Sequence, residues 1–128
     1  MSTPPYEVLG GAAKLRALVD RFYSLMDTQP EYYGIRKLHP QDLSGSAEKL
    51  YLFLSGWLGG PPLYQQKFGH PFLRARHLPF SIGKAERDQW LACMRQAMRE
   101  EGVEEGLSEA LAQAFYQTAD HMRNRPER

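Results

Sequence analysis

The sequence predicts an all-α protein, and three observations lead to that prediction. Four stretches repeat apolar residues at helical spacing, and none alternates with the period of two that is typical of a half-buried strand. Glycine and proline residues separate these stretches. The chain has 128 residues, enough for one core, so we expect a single domain over 1–128 with flexible tails at 1–5 and 124–128.

The first long helix is predicted after the glycine pair at 10–11. Gln29 and Pro30 stop it, because a residue before proline avoids helical geometry. Tyr23 lies at the edge of its apolar face. Residues 31–41 are rich in Tyr, Gly and Pro, which predicts a corner with short helical turns. The apolar face consists of Leu15, Leu18, Val19, Phe22 and Met26.

The second helix is predicted to start near Ser44, with Asp42 or Ser44 as its N-cap, and the Gly-Gly-Pro-Pro run at 59–62 ends it. The third helix opens around 81–84 and closes at the Glu-Gly pair 101–102. The inward faces of these two helices are predicted to carry Ser46, Leu50, Phe53, Leu54 and Trp57, and then Trp90, Leu91, Met94, Ala97 and Met98.

The fourth helix is predicted from Glu105 or Ser108 to Met122. The unusual part of the chain is the segment 63–80 between the second and third helices. Its prolines confine any helix there to about two turns, over 71–77. A loop-rich stretch of this length in a small helical protein is usually functional.

Composition narrows the class of protein. The formal net charge is +1 and no basic block occurs, which argues against a nucleic-acid partner. A single cysteine, Cys93, cannot form an intramolecular disulfide, and a reducing cytoplasm is the simplest setting for it. No apolar run approaches the roughly 18 to 20 residues that span a bilayer, and no signal peptide is evident. We therefore expect a cytoplasmic protein with no membrane partner.

His77 ends the short predicted helix, just before a Leu-Pro-Phe run. A histidine at a helix C-terminus is ordinarily a surface residue that the helix dipole stabilises. A haem, however, needs an axial imidazole, an apolar slot and cations near its propionates. The aromatic-rich helix faces supply a slot, and polar candidates near His77 are Arg74, Arg76, Tyr64 and Lys67.

Two other interpretations stay open from the residues alone. His70 and His77 are seven residues apart and could share a helical face as zinc ligands, although no acidic or cysteine ligand accompanies them. The chain could also be a helical interaction module that holds no cofactor.

Tyr23 and Trp90 each place a polar hydrogen on an otherwise apolar helical face. The commoner role of such a residue is a core aromatic whose O–H or N–H finds a backbone partner. With His39 and Ser46 nearby, the pair could instead form a cluster of hydrogen-bond donors in a dry pocket. Such donors would stabilise the partial negative charge of iron-bound dioxygen.

An ordered set of motifs covering about residues 6–122 resembles the truncated haemoglobin family. A tryptophan at the position of Trp90, in the penultimate helix, points to group II of that family. The motifs are Tyr6-Glu7-Val8-Leu9-Gly10-Gly11, Arg21-Phe22-Tyr23, Leu58-Gly59-Gly60-Pro61, Gly69-His70-Pro71, Arg74-Ala75-Arg76-His77-Leu78-Pro79-Phe80 and Glu86-Arg87-Asp88-Gln89-Trp90-Leu91-Ala92-Cys93-Met94.

The resemblance implies a two-over-two helical sandwich around haem b, with His77 as the proximal ligand to the iron. It implies a distal side formed by Tyr23, Trp90, His39, Ser46 and Phe22, with Tyr32 or Tyr33 competing with His39 for the corner position. The remaining haem contacts that it implies are the propionate partners Arg76, Tyr64 and Lys67 and the apolar residues Leu50, Phe53, Leu54, Leu73, Phe80, Ile82 and Met94.

The function that this implies is the binding of dioxygen and other diatomic gases, carbon monoxide and nitric oxide among them. Two or three donors worth roughly 1 kcal/mol or more each would slow oxygen release by one or more orders of magnitude. Slow release argues against bulk oxygen transport. The alternative is a haem enzyme, a peroxidase or a nitric-oxide dioxygenase, that uses an external reductase. Either protein would be a monomer or a homodimer.

Overall fold

The computed structural model describes residues 3–125, which fold into α-helices and one turn of 3₁₀ helix with no strand among them. The all-α prediction is confirmed. The 3₁₀ turn is Pro30–Tyr32, and the helices are α1 Pro5–Leu9, α2 Gly11–Thr28, α3 Tyr33–Arg36, α4 Ser44–Trp57, α5 Leu63–Phe68, α6 Leu73–His77, α7 Lys84–Glu100 and α8 Glu105–His121.

Four long helices pack as two pairs, α2 with α4 and α7 with α8, and α2 also packs on α7. The predicted apolar face of α2 is buried throughout, and it meets Met94, Ala97 and Met98 of α7 in one core. From α8, Leu111, Ala112 and Phe115 join this core. Burial of these side chains is the main favourable term in the stability of the fold.

The end of α4 is fixed by a turn that the Gly-Gly-Pro-Pro run makes possible. Gly59 has φ +91°, a conformation that favours glycine, and a Cβ on Gly60 would lie 2.6 Å from the ring of Tyr6. The buried Ser55 hydroxyl donates to the Pro61 carbonyl at 2.7 Å. The Tyr6 amide donates to the Leu58 carbonyl at 2.9 Å, so α1 closes over this turn.

Several element boundaries differ from the prediction. Helices α1 and α5 were not predicted, because five or six residues are too short to show a helical period. The N-cap of α4 is Leu43 rather than Asp42 or Ser44, although the Asp42 carboxylate accepts the Ser44 amide at 2.9 Å. The short helix α6 begins at Leu73, two residues after the predicted start.

The predicted terminal tails are only partly described. Pro5 already belongs to α1, and Asn124 and Arg125 make hydrogen bonds to the segment before α7, so these three residues are part of the fold. Residues 1–2 and 126–128 of the predicted tails lie outside the described part of the chain. A search of residues 3–125 finds no helix long and apolar enough to cross a membrane.

Candidate functional site

A cavity of about 680 Å³ lies where the long helices meet α6 and the corner at 37–41. This volume is in the usual range for sites that hold small molecules or cofactors. Of the residues predicted from sequence for the cofactor and its ligand, the cavity brings together Tyr23, His39, Ser46, Leu50, Phe53, Leu54, Tyr64, Leu73, Arg76, His77, Phe80, Ile82 and Trp90.

The predicted inward face of α4 explains why the cavity exists. All four apolar side chains Leu50, Phe53, Leu54 and Trp57 line the cavity. Leu54 is buried in the core, whereas the other three are only half-buried because they face the cavity. A helix that turns large apolar side chains toward an interior space leaves room for a flat apolar group.

His77 ends α6, and its Nδ1 atom lies 2.6 Å from the carbonyl oxygen of Leu73. A carbonyl oxygen can only accept a hydrogen bond, so Nδ1 carries the proton. With Nδ1 as the donor, the neutral form of the ring has its lone pair on Nε2, and this is the form of imidazole that ligates a metal. His77 lines the cavity and is half-buried.

Tyr23 of α2 and Trp90 of α7 bring two hydrogen-bond donors to the cavity. Burial, with a smaller contribution from Cys93, raises the pKa of Tyr23 far above its ordinary value, so its hydroxyl stays protonated. The indole N–H of Trp90 can only donate. Within residues 3–125 neither donor has a hydrogen-bond partner, so both remain available to a ligand in the cavity.

Phe22 does not line the cavity, although the sequence analysis placed it with the distal residues. It is fully buried behind them, with ring centroids 5.0 Å from Tyr23 and 5.1 Å from Trp90. Trp90 also packs edge-on against Phe115 at 5.4 Å. Phe22 therefore supports the two donors from the core and fixes their orientation.

The structure places His39 at the cavity and the two competing tyrosines away from it. The Tyr32 hydroxyl donates to Gln96 Oε1 at 2.6 Å, and Tyr33 is 65% exposed. The ring of His39 lies edge-on to Tyr23, with centroids 5.8 Å apart. Of these three residues, only His39 is in a position to meet a ligand in the cavity.

The contacts of His39 indicate its protonation state. Its Nδ1 atom lies 2.8 Å from the carbonyl oxygen of Ile35, so Nδ1 must donate. Burial lowers the pKa of His39 below its ordinary value despite this bond, so the ring is neutral at neutral pH. In neutral His39, which lines the cavity, Nε2 is therefore an acceptor and not a donor.

Two residues that sequence reasoning missed hold the corner in place. The Arg36 guanidinium donates to Asp27, to the Pro40 carbonyl and to the Gln41 carbonyl at 2.8–2.9 Å. Gln89 Oε1 accepts the Ile35 amide at 3.1 Å. No sequence pattern marks either residue, because apart from the Asp27 carboxylate their partners here are backbone groups.

The cations near His77 have different roles. Arg76 lines the cavity and donates to the Pro71 carbonyl at 2.7 Å, and Lys49 of α4 also lines the cavity. Arg74 instead donates to the carbonyls of His121 and Arg123 at the end of α8. Arg87 lines the cavity too, but it is paired with Asp88 and Asp120. Arg76 and Lys49 are thus the cavity cations that could meet the propionates of a haem, whereas Arg74 is occupied elsewhere.

Two further predicted contacts are not on the cavity wall. Lys67 extends over the ring of Phe68, with its Nζ 5.4 Å from the centroid, and Met94 is fully buried in the helical core. The zinc interpretation also finds no support. His70 Nδ1 accepts the Phe72 amide at 2.9 Å, and residues 3–125 contain no group of three side chains able to hold a metal ion.

A helical sandwich whose apolar cavity is lined by the imidazoles of His39 and His77 and by the donors Tyr23 and Trp90 is the arrangement of the haem-binding globins of the two-over-two type. The sequence profile of the bacterial-like globin family matches residues 5–124. The group 2 truncated hemoglobin YjbI of Bacillus subtilis is 44% identical over 123 residues, 96% of this chain and 90% of that protein. The chain belongs to the truncated haemoglobin family, group II.

Solved structures of truncated haemoglobins are also similar to this chain. The group II 2-on-2 hemoglobin from the plant pathogen Agrobacterium tumefaciens is 50% identical and superposes with a TM-score of 0.93 over 98% of this chain and 97% of that chain. A truncated oxygen-avid haemoglobin from Bacillus subtilis is 44% identical, with a TM-score of 0.86 over 95% of this chain and 100% of that chain. The cofactor is therefore haem with its iron, and the family function is oxygen binding.

The residues present fit a haem. The lone pair of His77 Nε2 suits the axial position, the apolar side chains of α4 suit the porphyrin faces, and Arg76 and Lys49 suit its carboxylates. The fit rests on side chains that come from separate helices and meet at one cavity.

Proposed function

We propose that this protein holds haem through His77 and binds dioxygen and other diatomic gases with slow release, which suits the handling of oxygen, nitric oxide or peroxide rather than bulk transport. The observation that carries the proposal is the pair of free donors, Tyr23 O–H and Trp90 N–H, on the wall of the same cavity as His77. The relative from Bacillus subtilis that is described as oxygen-avid supports it.

The haem supplies an iron centre that takes a diatomic ligand. The protein supplies the environment of that ligand. Tyr23 and Trp90 are held by Phe22 and Phe115, so their donors are oriented before a ligand arrives, and little reorganisation is needed on binding. In a cavity lined mostly by apolar side chains, each hydrogen bond is stronger than in water.

Optical spectra of the purified protein test this proposal. We expect a Soret band in the ferric and ferrous forms and distinct shifts when oxygen or carbon monoxide is added to the ferrous form. Oxygen should leave much more slowly than from a haem site without polar donors. A ferrous spectrum that oxygen and carbon monoxide leave unchanged would contradict the proposal.

The tautomer of His39 leads to a prediction about its share in oxygen retention. At pH 8 the neutral ring offers Nε2 as an acceptor, so replacing His39 by phenylalanine removes no donor. We expect the oxygen dissociation rate of His39→Phe to stay within about threefold of the wild type, whereas Tyr23→Phe raises it about tenfold. Stopped-flow release at pH 8 measures both. Equal acceleration in the two variants would mean that Nε2 carries the proton.

A second candidate function is peroxide chemistry, and the free Nε2 of His39 favours it. His39 lines the cavity, and this nitrogen can take a proton from hydrogen peroxide to leave the hydroperoxide anion. Turnover of this kind, or nitric-oxide dioxygenation, would draw electrons from an external reductase. A peroxide-dependent turnover far above that of free haem, lowered in His39→Phe, would establish this activity.

A further inference from the structure

The segment that carries His77 is weakly held by apolar packing. Helix α6 contains no buried residue, and the stretch from Leu78 to Ser81 is exposed. Ile82 is the first buried side chain after it. The position of α6 therefore depends on polar ties to the rest of the molecule, and a helix of five residues has no stability of its own.

Asn124 makes three of those ties with its side chain and a fourth with its backbone amide. Its Nδ2 group donates to the Phe80 carbonyl at 2.8 Å and to the His77 carbonyl at 3.2 Å. Its Oδ1 atom accepts the Ile82 amide at 3.0 Å, and its own amide donates to the Ile82 carbonyl at 2.9 Å. The carbonyls at the end of a helix lack partners within that helix. The Asn124 amide gives the His77 carbonyl a second donor beside the Phe80 amide, and it pairs the Phe80 carbonyl.

Hydrogen bonds between the His77 segment and the end of α8 are donated from both sides. Arg74 of α6 donates to the carbonyls of His121 and Arg123, which end α8, and this places a cation at the negative end of that helix. The C-terminal turn of α8 and the His77 segment thus satisfy each other's terminal carbonyls. Asn124 is the residue of that turn that reaches the carbonyl of His77 itself, which also accepts the Phe80 amide at 3.0 Å.

We propose that Asn124 is a positioning residue for the proximal histidine. Its side-chain amide joins residues 77–82 to the C-terminal end of α8, a connection called the clasp below, and so holds the His77 imidazole in place. This rests on the proposed role of His77 as the axial ligand. The clasp acts through neutral hydrogen bonds and adds no charge beside the cofactor.

Two variants separate the bonds. Asn124→Ala removes every side-chain bond, whereas Asn124→Asp keeps an acceptor for the Ile82 amide but loses both donors. Arg125→Ala is the matched control on the same turn, because it removes only the bond to the Ser81 hydroxyl. Ser55→Ala is the control for general destabilisation, since its buried hydroxyl bond lies at the end of α4.

The measurements use the haem-loaded protein. In Asn124→Ala we expect the Ile82 and Phe80 amides to exchange with deuterium about tenfold faster, whereas in Asn124→Asp only the Phe80 amide should do so, because the carboxylate still accepts the Ile82 amide. In both variants we expect haem to pass to a scavenging apoprotein about tenfold faster. We expect the iron–histidine stretching band of the ferrous form to broaden or shift. Neither control should change that band, because neither touches the loop carbonyls.

The proposal is overturned if Asn124→Ala leaves the band and the haem-loss rate as in the wild type, or if Ser55→Ala changes them equally. If His77 were not the axial ligand, these measurements would give a different result. In that case His77→Ala would keep the iron–histidine band, while faster amide exchange in Asn124→Ala would still report the clasp.

Discussion

Replacement of His77 by alanine is expected to remove the axial bond to the iron and to lower haem affinity about 100- to 1000-fold, roughly 3 to 4 kcal/mol. The Nε2 lone pair is free for the metal because Nδ1 donates to the Leu73 carbonyl at 2.6 Å. The Soret absorbance per protein should fall, and added imidazole should restore it by filling the space that the side chain left. Titration of the apoprotein with haem, with and without imidazole, measures both effects.

His70→Ala is the matched control for this experiment. His70 is exposed, its Nδ1 accepts the Phe72 amide, and it does not line the cavity. Its removal should leave haem affinity unchanged. His39 does line the cavity and keeps its own Nε2 free. If His77→Ala retained full haem affinity and a wild-type ferrous spectrum, the ligand would be another residue, and His39 would be the first to test.

The long helices could be predicted from the sequence because their apolar residues recur at helical spacing and because glycine and proline residues mark where they end. Leu15, Leu18 and Phe22 recur at helical spacing, and the Gly-Gly-Pro-Pro run at 59–62 permits only a turn. The same logic fails for α1 and α5, whose few residues hold no full period. It also fails for Asn124, because a single polar residue after the last periodic position carries no local signal.

Within the site, the sequence predicted many of the residues that line the cavity. It could not predict the protonation state of those residues or their hydrogen-bond partners. The motif residues Tyr23, Trp90 and His77 do meet at one cavity. The state of His39 depends on a helical turn in the corner that brings the Ile35 carbonyl to Nδ1, and Arg36 fixes that turn through backbone acceptors. Every residue has a backbone carbonyl, so the sequence does not show which one will accept a hydrogen bond, and such partners are known only from the fold.

The largest functional effect is expected from the double variant Tyr23→Phe, Trp90→Phe. Phenylalanine keeps most of the packing at each position but cannot donate. Loss of two donors worth roughly 1 to 1.5 kcal/mol each should speed oxygen release about 30- to 150-fold. Oxygen displacement by carbon monoxide, followed by stopped flow, gives the rate. Association should change less, because neither substitution blocks the cavity.

Tyr32→Phe is the informative control, since Tyr32 competed with His39 for the same position in the sequence. Its hydroxyl donates to Gln96 at 2.6 Å, away from the cavity, so its loss should cost about 1 kcal/mol of stability and leave oxygen release unchanged. If the double variant released oxygen at the wild-type rate, the distal assignment would be wrong. The two single variants complete a cycle in which we expect coupling, because Tyr23 and Trp90 both pack on Phe22 and a change at one reorients the other.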